Sequence, residues 1–343
     1  MLAKKLHANG GRRKVSVFGG DGFLGSHFVD QLMVHKHEVT VFDRFLGGRA
    51  KNLSHAEGRF RKIAGDLSES SLVAEALEGQ DMAAYFICAT TPCAAWERAL
   101  SDIEAEIGNF MRFLGQCVSA GVRKVVFASS GGMVYGPRNG PSTEDSLPRP
   151  VNPYGIAKLG QEHLLEFFRM RHGIEADCYR IGNAYGPRQS ATRGLGVVAA
   201  WIERMLAGEQ LDVYGDSTTV RDYVFAKDIA RLMTFSLRNL DASETFNLGT
   251  GLGTSTLDLL EMFRTVLGRP LLYRIHPRRP SDNTVSILPS TKLLCHFPGF
   301  QFQELATGLR LTFDHARAVR LFRPALSVSA QGVLASPLSL GLH

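Results

Sequence analysis

The chain has 343 residues, 44% of them hydrophobic, enough to build a large core and to exclude global disorder. Its 39 lysines and arginines against 33 aspartates and glutamates give a formal charge of +6, but charged residues are only 21% of the chain and scattered. No basic stripe interleaved with aromatics supports a nucleic-acid partner, and no run approaches the roughly 18 apolar residues of a membrane span.

Reading from the N-terminus, a strand at 14–19 runs straight into a glycine turn and a helix, VSVFGGDGFLGSHFVDQL at 15–32. Gly19, Gly22 and Gly25 are spaced G-x-x-G-x-x-G. Small residues there let backbone N–H groups at the helix start, around Phe23 and Leu24, approach a pyrophosphate. The second strand, 38–43, ends on Asp43, about twenty residues on, where a carboxylate can accept hydrogen bonds from a ribose diol. A carboxylate repels a 2′-phosphate, so NAD is the expected cofactor, with NADP left as an alternative by the adjacent Arg44. The third strand, 60–65, brings Asp66 and Leu67 toward the adenine, and the fourth, 82–88, brings Ala89 to the same edge.

The crossovers 23–35, 69–78, 97–120 and 154–172 have helical length and apolar spacing, and strands follow at 123–129 and 174–181. Strand and helix alternate as in a parallel, doubly wound α/β sheet of Rossmann type. Within the last crossover, Pro153 precedes Tyr154-Gly-Ile-Ala-Lys158, and the i, i+4 spacing places phenol and ammonium on one helix face. Tyrosine titrates near 10, but a nearby cation stabilises its phenolate, which could then act as a base. Tyr-x-x-x-Lys alone is a frequent accident; after the fifth strand of a dinucleotide fold it is a catalytic signal.

After Ile181 the chain turns to loops rich in Gly, Pro and Arg. A helix is expected near 194–207, strands near 211–214 and 244–247, a mixed segment at 220–238 and a helix at 256–267. We expect a dinucleotide domain over 12–181 with returning segments near 220–248, a smaller, intertwined substrate domain from 182–219 and 249–315, and a loosely ordered tail at 316–343. Of two basic clusters, Lys4 to Lys14 reads as a solvated face, and Arg269 to Arg279 lies where a phosphorylated substrate could dock. The five cysteines, Cys88, Cys93, Cys117, Cys178 and Cys295, are odd in number, lie mostly in apolar runs and lack zinc spacing. Reduced thiols in a cytoplasmic protein without a metal are expected, and the basic N-terminus lacks the apolar core of a secretory signal.

The glycine turn, VVFASSGGMVYG at 125–136, PYGIAK at 153–158, RIGNAYGPRQ at 180–189, VYGDSTTVRDYV at 213–224, FNLGTG at 246–251 and RRPSD at 278–282 together resemble a known family. This is the extended short-chain dehydrogenase/reductases, and within them the NAD-dependent sugar-nucleotide epimerases and dehydratases. The resemblance runs from about Lys14 to about Phe313. It implies Tyr154 as the acid/base, Lys158 on the nicotinamide ribose, Ser129 among the cofactor contacts, and Asn183, Arg221 and Arg279 on the substrate diphosphate. It further implies Tyr214 against the nucleotide base, Asp282 on the nucleotide ribose, and Ser286 at the gate for the C2 substituent of the sugar. A homodimer through the helices at 97–120 and 154–172, and a role in supplying polysaccharide or glycan precursors, are also what it implies.

The chain departs from the pattern at four places, one of them Ser281, which stands where the family commonly has Gly. Gly131 stands where the family carries the Ser or Thr that relays a proton to the tyrosine, so Ser130 is the candidate relay. Gly132 and Met133 replace the acidic pair of the 4,6-dehydratases, which favours epimerisation over dehydration. Glu106 replaces an Asn; it is either an exposed helix carboxylate or an inward one that disturbs the cofactor site. The expected activity is therefore 4-epimerisation of a UDP-hexose or UDP-N-acetylhexosamine through a 4-keto sugar. The alternatives are another sugar-nucleotide enzyme (decarboxylase, dehydratase or reductase) or a catalytically impaired NAD-binding sensor.

Overall fold

The computed structural model describes residues 11–46, 51–88, 99–190, 196–215, 218–268, 270–277 and 284–321. In chain order the first half gives β1 (Lys14–Phe18), α1 (Phe23–Val34), β2 (Glu38–Asp43), β3 (Arg61–Ala64), α2 (Ser70–Leu77), β4 (Met82–Tyr85), α3 (Ala99–Ser119) and β5 (Lys124–Ser130). A single helical turn, α4 (Gly131–Val134), the long α5 (Pro153–His172) and β6 (Glu175–Ile181) complete it. The expected strands and crossovers are present, with ends that differ by no more than three residues where the structure describes them.

A seventh strand, β11 (Glu244–Leu248), returns from the second half and pairs in parallel with β6. The sheet order is then β3-β2-β1-β4-β5-β6-β11, all parallel, the order of a Rossmann-type doubly wound sheet. Period-two alternation divides its side chains between two layers. Val15, Val17, Val39, Val41, Val126 and Phe246 face Phe28, Val29 and Leu32 of α1 and Ile229, Leu232 and Met233 of α7 (Ala226–Met233). Phe18, Phe42, Ile63, Val125 and Phe127 face α2, α3 and α5 through Val73, Leu77, Phe110, Phe113, Leu114, Leu165 and Phe168. The C-terminal edge of the strands therefore opens between two largely apolar layers.

The second half carries short pieces: β7 (Asn183–Tyr185), α6 (Val197–Ala207), β8 (Leu211–Tyr214), β9 (Val220–Arg221), β10 (Tyr223–Phe225), β12 (Thr254–Ser255), α8 (Thr256–Leu267), β13 (Tyr273–His276), β14 (Val285–Ser286), α9 (Thr291–Leu294) and α10 (Leu305–Leu321). A third apolar cluster unites Trp201 and Ile202 of α6, Leu211 and Val213 of β8, Leu259 and Phe263 of α8, and Leu309 and Phe313 of α10. Because that face of α10 is docked, the helix continues to Leu321, into the segment expected to be loose; residues 322–343 lie outside the described residues. No described helix is long and apolar enough to cross a membrane, and among the described residues no His, Cys, Asp and Glu group could hold a metal. Of the cysteines, Cys88, Cys117, Cys178 and Cys295 are free thiols, and Cys93 is outside the described residues.

The docking of α1 buries a histidine. His27 is 2% exposed and its Nε2 donates to the Pro187 carbonyl at 3.0 Å. Burial, reinforced by the nearby Arg188 charge, pushes its pKa down to about 4. The unfolded chain binds this proton below about 6.5 and the folded chain does not until about pH 4, so stability present at neutral pH is lost as pH falls between those values. Unfolding by urea at pH 5 against pH 7 is expected to show a loss of about 2 kcal/mol from this group. His27→Gln should remove that share of the difference and leave the share of His37, whose pKa burial also pushes down to about 4.

Candidate active site

The glycine turn is built by close approach. Gly19 has φ +76°, the left-handed region, and a Cβ on Gly25 would lie 2.2 Å from the Gly19 oxygen. A Cβ on Gly22 would lie 2.9 Å from the same oxygen. Gly22 caps α1 without a side chain, so the first-turn N–H groups around Phe23 and Leu24 meet no side-chain acceptor from the cap. Asp43, half-buried at the end of β2, accepts from the N–H groups of Asp21 (3.1 Å) and Arg44 (2.8 Å), and burial raises its pKa. A cradle that only glycine fits, an anion-binding helix start and a carboxylate beside it suit a dinucleotide.

Asp21, inside the turn, was not singled out by sequence. Its carboxylate accepts the N–H groups of Lys51, Asn52 and Leu53 at 2.7, 2.9 and 3.0 Å, pinning the loop after β2 over the turn. Asp66 is exposed and accepts from Ser68 N–H and Oγ, which lowers its pKa; Leu67 packs against the second core layer. Ser129 is buried, and its hydroxyl donates to Glu162 at 2.5 Å. Its hydroxyl proton is therefore committed to Glu162. Ala89 lies outside the described residues.

Tyr154 and Lys158 stand on the first turns of α5. Asn152 caps that helix, its Oδ1 accepting from Gly155 N–H at 2.8 Å, and Pro153 occupies the first turn. Gly155 is required because a Cβ there would lie 2.5 Å from the Met133 carbonyl oxygen, so α5 can press against α4. The buried Lys158 donates to the Ala128 carbonyl at 3.2 Å and its Nζ sits 6.0 Å from the Tyr154 ring centroid. Burial, with the ionisable Cys88 and Glu106 nearby, raises the Tyr154 pKa above the ordinary value of 10, and a hydrogen bond with Ser130 opposes that rise. The structure thus brings Ser130, Tyr154 and Lys158 together.

Gly131 and Glu106 are resolved by packing. A Cβ on Gly131 would lie 2.4 Å from Leu288 Cδ1 and 3.2 Å from the Arg180 oxygen, so a hydroxyl there has no room while Leu288 fills the space. Glu106 is 3% exposed and points inward, where Gln161 Nε2 donates to its Oε2 at 3.2 Å. The exposed-carboxylate alternative does not hold. Met133 uses its sulfur to accept from Asn152 Nδ2 at 3.1 Å, a packing role with no acid/base capacity.

On the substrate side, Asn183 opens β7 and donates its N–H to the Asp222 carbonyl at 2.8 Å. Arg221, half-buried on β9, sits in register with Thr254 and Ser286. Ser286 is buried, its hydroxyl has no hydrogen-bond partner among the described residues, and it lies 2.9 Å from where a Gly132 Cβ would be. Tyr214, at the end of β8, is 37% exposed and stacked on His276. Arg279 and Asp282 lie outside the described residues. Asp222, unremarked in VRDYV, is fully buried and accepts from Thr250 N–H and Oγ1, Gly251 N–H and Leu288 N–H. It ties the FNLGTG loop and Leu288 to β9 and β10.

The chain is similar to known proteins. The model of the NAD dependent epimerase/dehydratase family matches residues 15–249. A UDP-glucose 4-epimerase of Mycolicibacterium smegmatis is 32% identical over 309 residues, 88% of this chain and 97% of that protein. The crystal structure of a Thermus thermophilus UDP-glucose 4-epimerase in complex with NAD superposes with a TM-score of 0.81 at 32% identity, covering 89% of this chain and 99% of the other. A dTDP-glucose 4,6-dehydratase from Streptomyces venezuelae, solved with NAD bound, reaches a TM-score of 0.80 at 28% identity, covering 89% and 97%.

Proposed function

The chain belongs to the NAD dependent epimerase/dehydratase family, whose cofactor is NAD, and from that footing we propose that it is a UDP-sugar 4-epimerase. The observation that carries the choice of epimerisation is the turn after β5. Gly132 and Met133 offer no carboxylate to eliminate water, while Ser130, Tyr154 and Lys158 are assembled for proton transfer at a sugar hydroxyl. The similarity to both UDP-glucose 4-epimerases and a 4,6-dehydratase agrees with the coarser assignment.

Bound NAD supplies the electron-pair acceptor and donor through which a 4-keto sugar forms and is reduced again. Tyr154 takes the proton of the sugar 4-hydroxyl, through or beside Ser130, and returns it to the opposite epimer. Lys158 sets the electrostatics of the phenol and holds the nicotinamide ribose. The glycine cradle with Phe23 and Leu24 carries the pyrophosphate, Asp43 the adenosine ribose, and Asp66 and Leu67 flank the adenine. Asn183 and Arg221, with Arg279, bind the UDP diphosphate, a guanidinium being suited to bidentate contact with phosphate oxygens. Tyr214 meets the uracil and Asp282 its ribose. Ser286 gates the C2 substituent: a small side chain with an unpartnered hydroxyl leaves room for, and can donate to, an N-acetyl group.

Incubation with UDP-glucose, UDP-N-acetylglucosamine and UDP-glucuronate separately, without added cofactor, tests this reading by NMR of the anomeric protons. A C4 epimer without net NADH supports it. Release of CO₂, net consumption of NAD(P)H or a 6-deoxy product assigns another member of the family, and no change in any sugar nucleotide leaves the sensor alternative.

We also propose a homodimer through α3 and α5. Leu100 and Met111 on α3, and Ile156 and Phe167 on α5, are exposed pairs spaced by eleven residues, about three turns, so each pair shares one face. Phe167→Arg is expected to convert a dimer to a monomer in light scattering while NAD content is kept; a wild-type monomer at micromolar concentration overturns the proposal.

A further inference from the structure

The end of β8 holds more than the tyrosine named above. Alternation along the strand sends Leu211 and Val213 into the third core cluster and leaves Asp212 and Tyr214 on the opposite face. On the neighbouring strand β13, in parallel register, His276 lies opposite Tyr214. Its imidazole stacks on the phenol with ring centroids 4.8 Å apart and planes 20° from parallel, and its Nε2 donates to Asp212 Oδ1 at 2.8 Å. The other Asp212 oxygen takes Arg204 from α6 at 2.7 Å, and Arg204 also donates to the Gln210 carbonyl at 2.7 Å. Each ring of the pair is thus fixed by a separate device: Tyr214 by the stack, His276 by a carboxylate that is itself anchored to a helix.

A filler of the core would be buried, but Tyr214 keeps 37% of its surface in solvent while Leu211 and Val213 on the same strand have none. An ordered aromatic pair held in place by an ion pair, at the open end of a strand, is the form of a stacking surface for a planar ligand. We propose that His276 is a positioning residue for the nucleotide: with Tyr214 it forms a two-ring platform that receives a pyrimidine base, and Asp212 and Arg204 keep it rigid. The inference rests on the reading of Tyr214 as the base contact in the proposed UDP-sugar site. Preorganisation is what it adds, since a ring already ordered loses less freedom when the base arrives.

Calorimetry of UDP binding to the full chain tests it, with bound NAD measured in each variant as a check that the fold is kept. Tyr214→Ala is expected to weaken UDP binding about tenfold or more. His276→Ala should weaken it about fivefold and raise KM for the sugar nucleotide with kcat unchanged, while His276→Phe, which keeps a ring for the stack, should restore affinity to within about twofold of wild type. If Tyr214→Ala is weakened and His276→Ala binds UDP as wild type does, the platform is overturned and the base contact stands. If Tyr214→Ala also binds as wild type does, the base lies elsewhere and both readings fall.

Discussion

Tyr154→Phe is expected to lower turnover of the preferred UDP-sugar by about 10²- to 10⁴-fold, the range for loss of a positioned acid/base group, with NAD retained and KM little changed. The hydroxyl is the only difference, and phenylalanine keeps the ring beside Lys158. The pH profile gives a second, sharper readout. Burial is the largest cause of the raised Tyr154 pKa, helped by the neighbouring ionisable Cys88 and Glu106, and the Ser130 hydrogen bond is what opposes them. In the proposed mechanism the phenolate is the base, so activity is expected to rise as pH climbs through this pKa. Glu106→Gln removes a charge that disfavours the phenolate and should move the acid limb of kcat to lower pH; Ser130→Ala should move it higher. A limb unmoved by both variants would mean that another group limits the rate. Wild-type turnover by Tyr154→Phe would remove the catalytic reading altogether.

The strands and helices of the nucleotide domain were legible because each is long enough to show its period: Val15, Val17, Val39 and Val41 alternate, and Phe110, Phe113, Leu114 and Cys117 repeat at helical spacing. One helix that sequence reading passed over, α10, is long and buries Gly308, Leu309, Thr312 and Phe313, but the strands it passed over are short or lack a buried stripe. On β13, Tyr273, Arg274 and Ile275 are all exposed, and β14 is two residues long, so neither shows an apolar pattern. The same limit applies to the site. Tyr154, Lys158 and the glycines follow from local spacing. Asp21 and Asp222 do not, because their work is to accept N–H groups from loops 30 and 28 residues away. Whether Glu106 points inward is likewise set by Gln161 on another helix, and nothing adjacent to Glu106 in the chain announces it.

Ser130→Ala is expected to cost about a hundredfold in turnover, at the low end of what a proton-relaying group supplies, and the route to its rescue separates geometry from chemistry. Gly131→Ser alone restores the hydroxyl at the family's position but places its Cβ against Leu288 Cδ1, where 2.4 Å is available. Such overpacking costs about 1–3 kcal/mol, and any relief moves Leu288, whose N–H donates to Asp222 at 3.1 Å and so links the catalytic turn to the substrate strand. The Ser130→Ala/Gly131→Ser protein should therefore stay as slow as Ser130→Ala and be less stable. Adding Leu288→Ala opens the space, and only this triple variant is expected to regain most of the lost rate, with the stability cost of a truncated leucine, about 2–5 kcal/mol, partly offset by the serine that fills the gap. Leu288→Ala in the wild-type background serves as the control: the cavity without the transplanted hydroxyl should keep Ser130 as the relay and leave kcat near wild type. A triple variant no faster than Ser130→Ala, in a protein that still binds NAD, would show that position 131 faces away from the reacting hydroxyl and that Ser130 holds the relay by the direction of β5 rather than by the exclusion that Leu288 imposes.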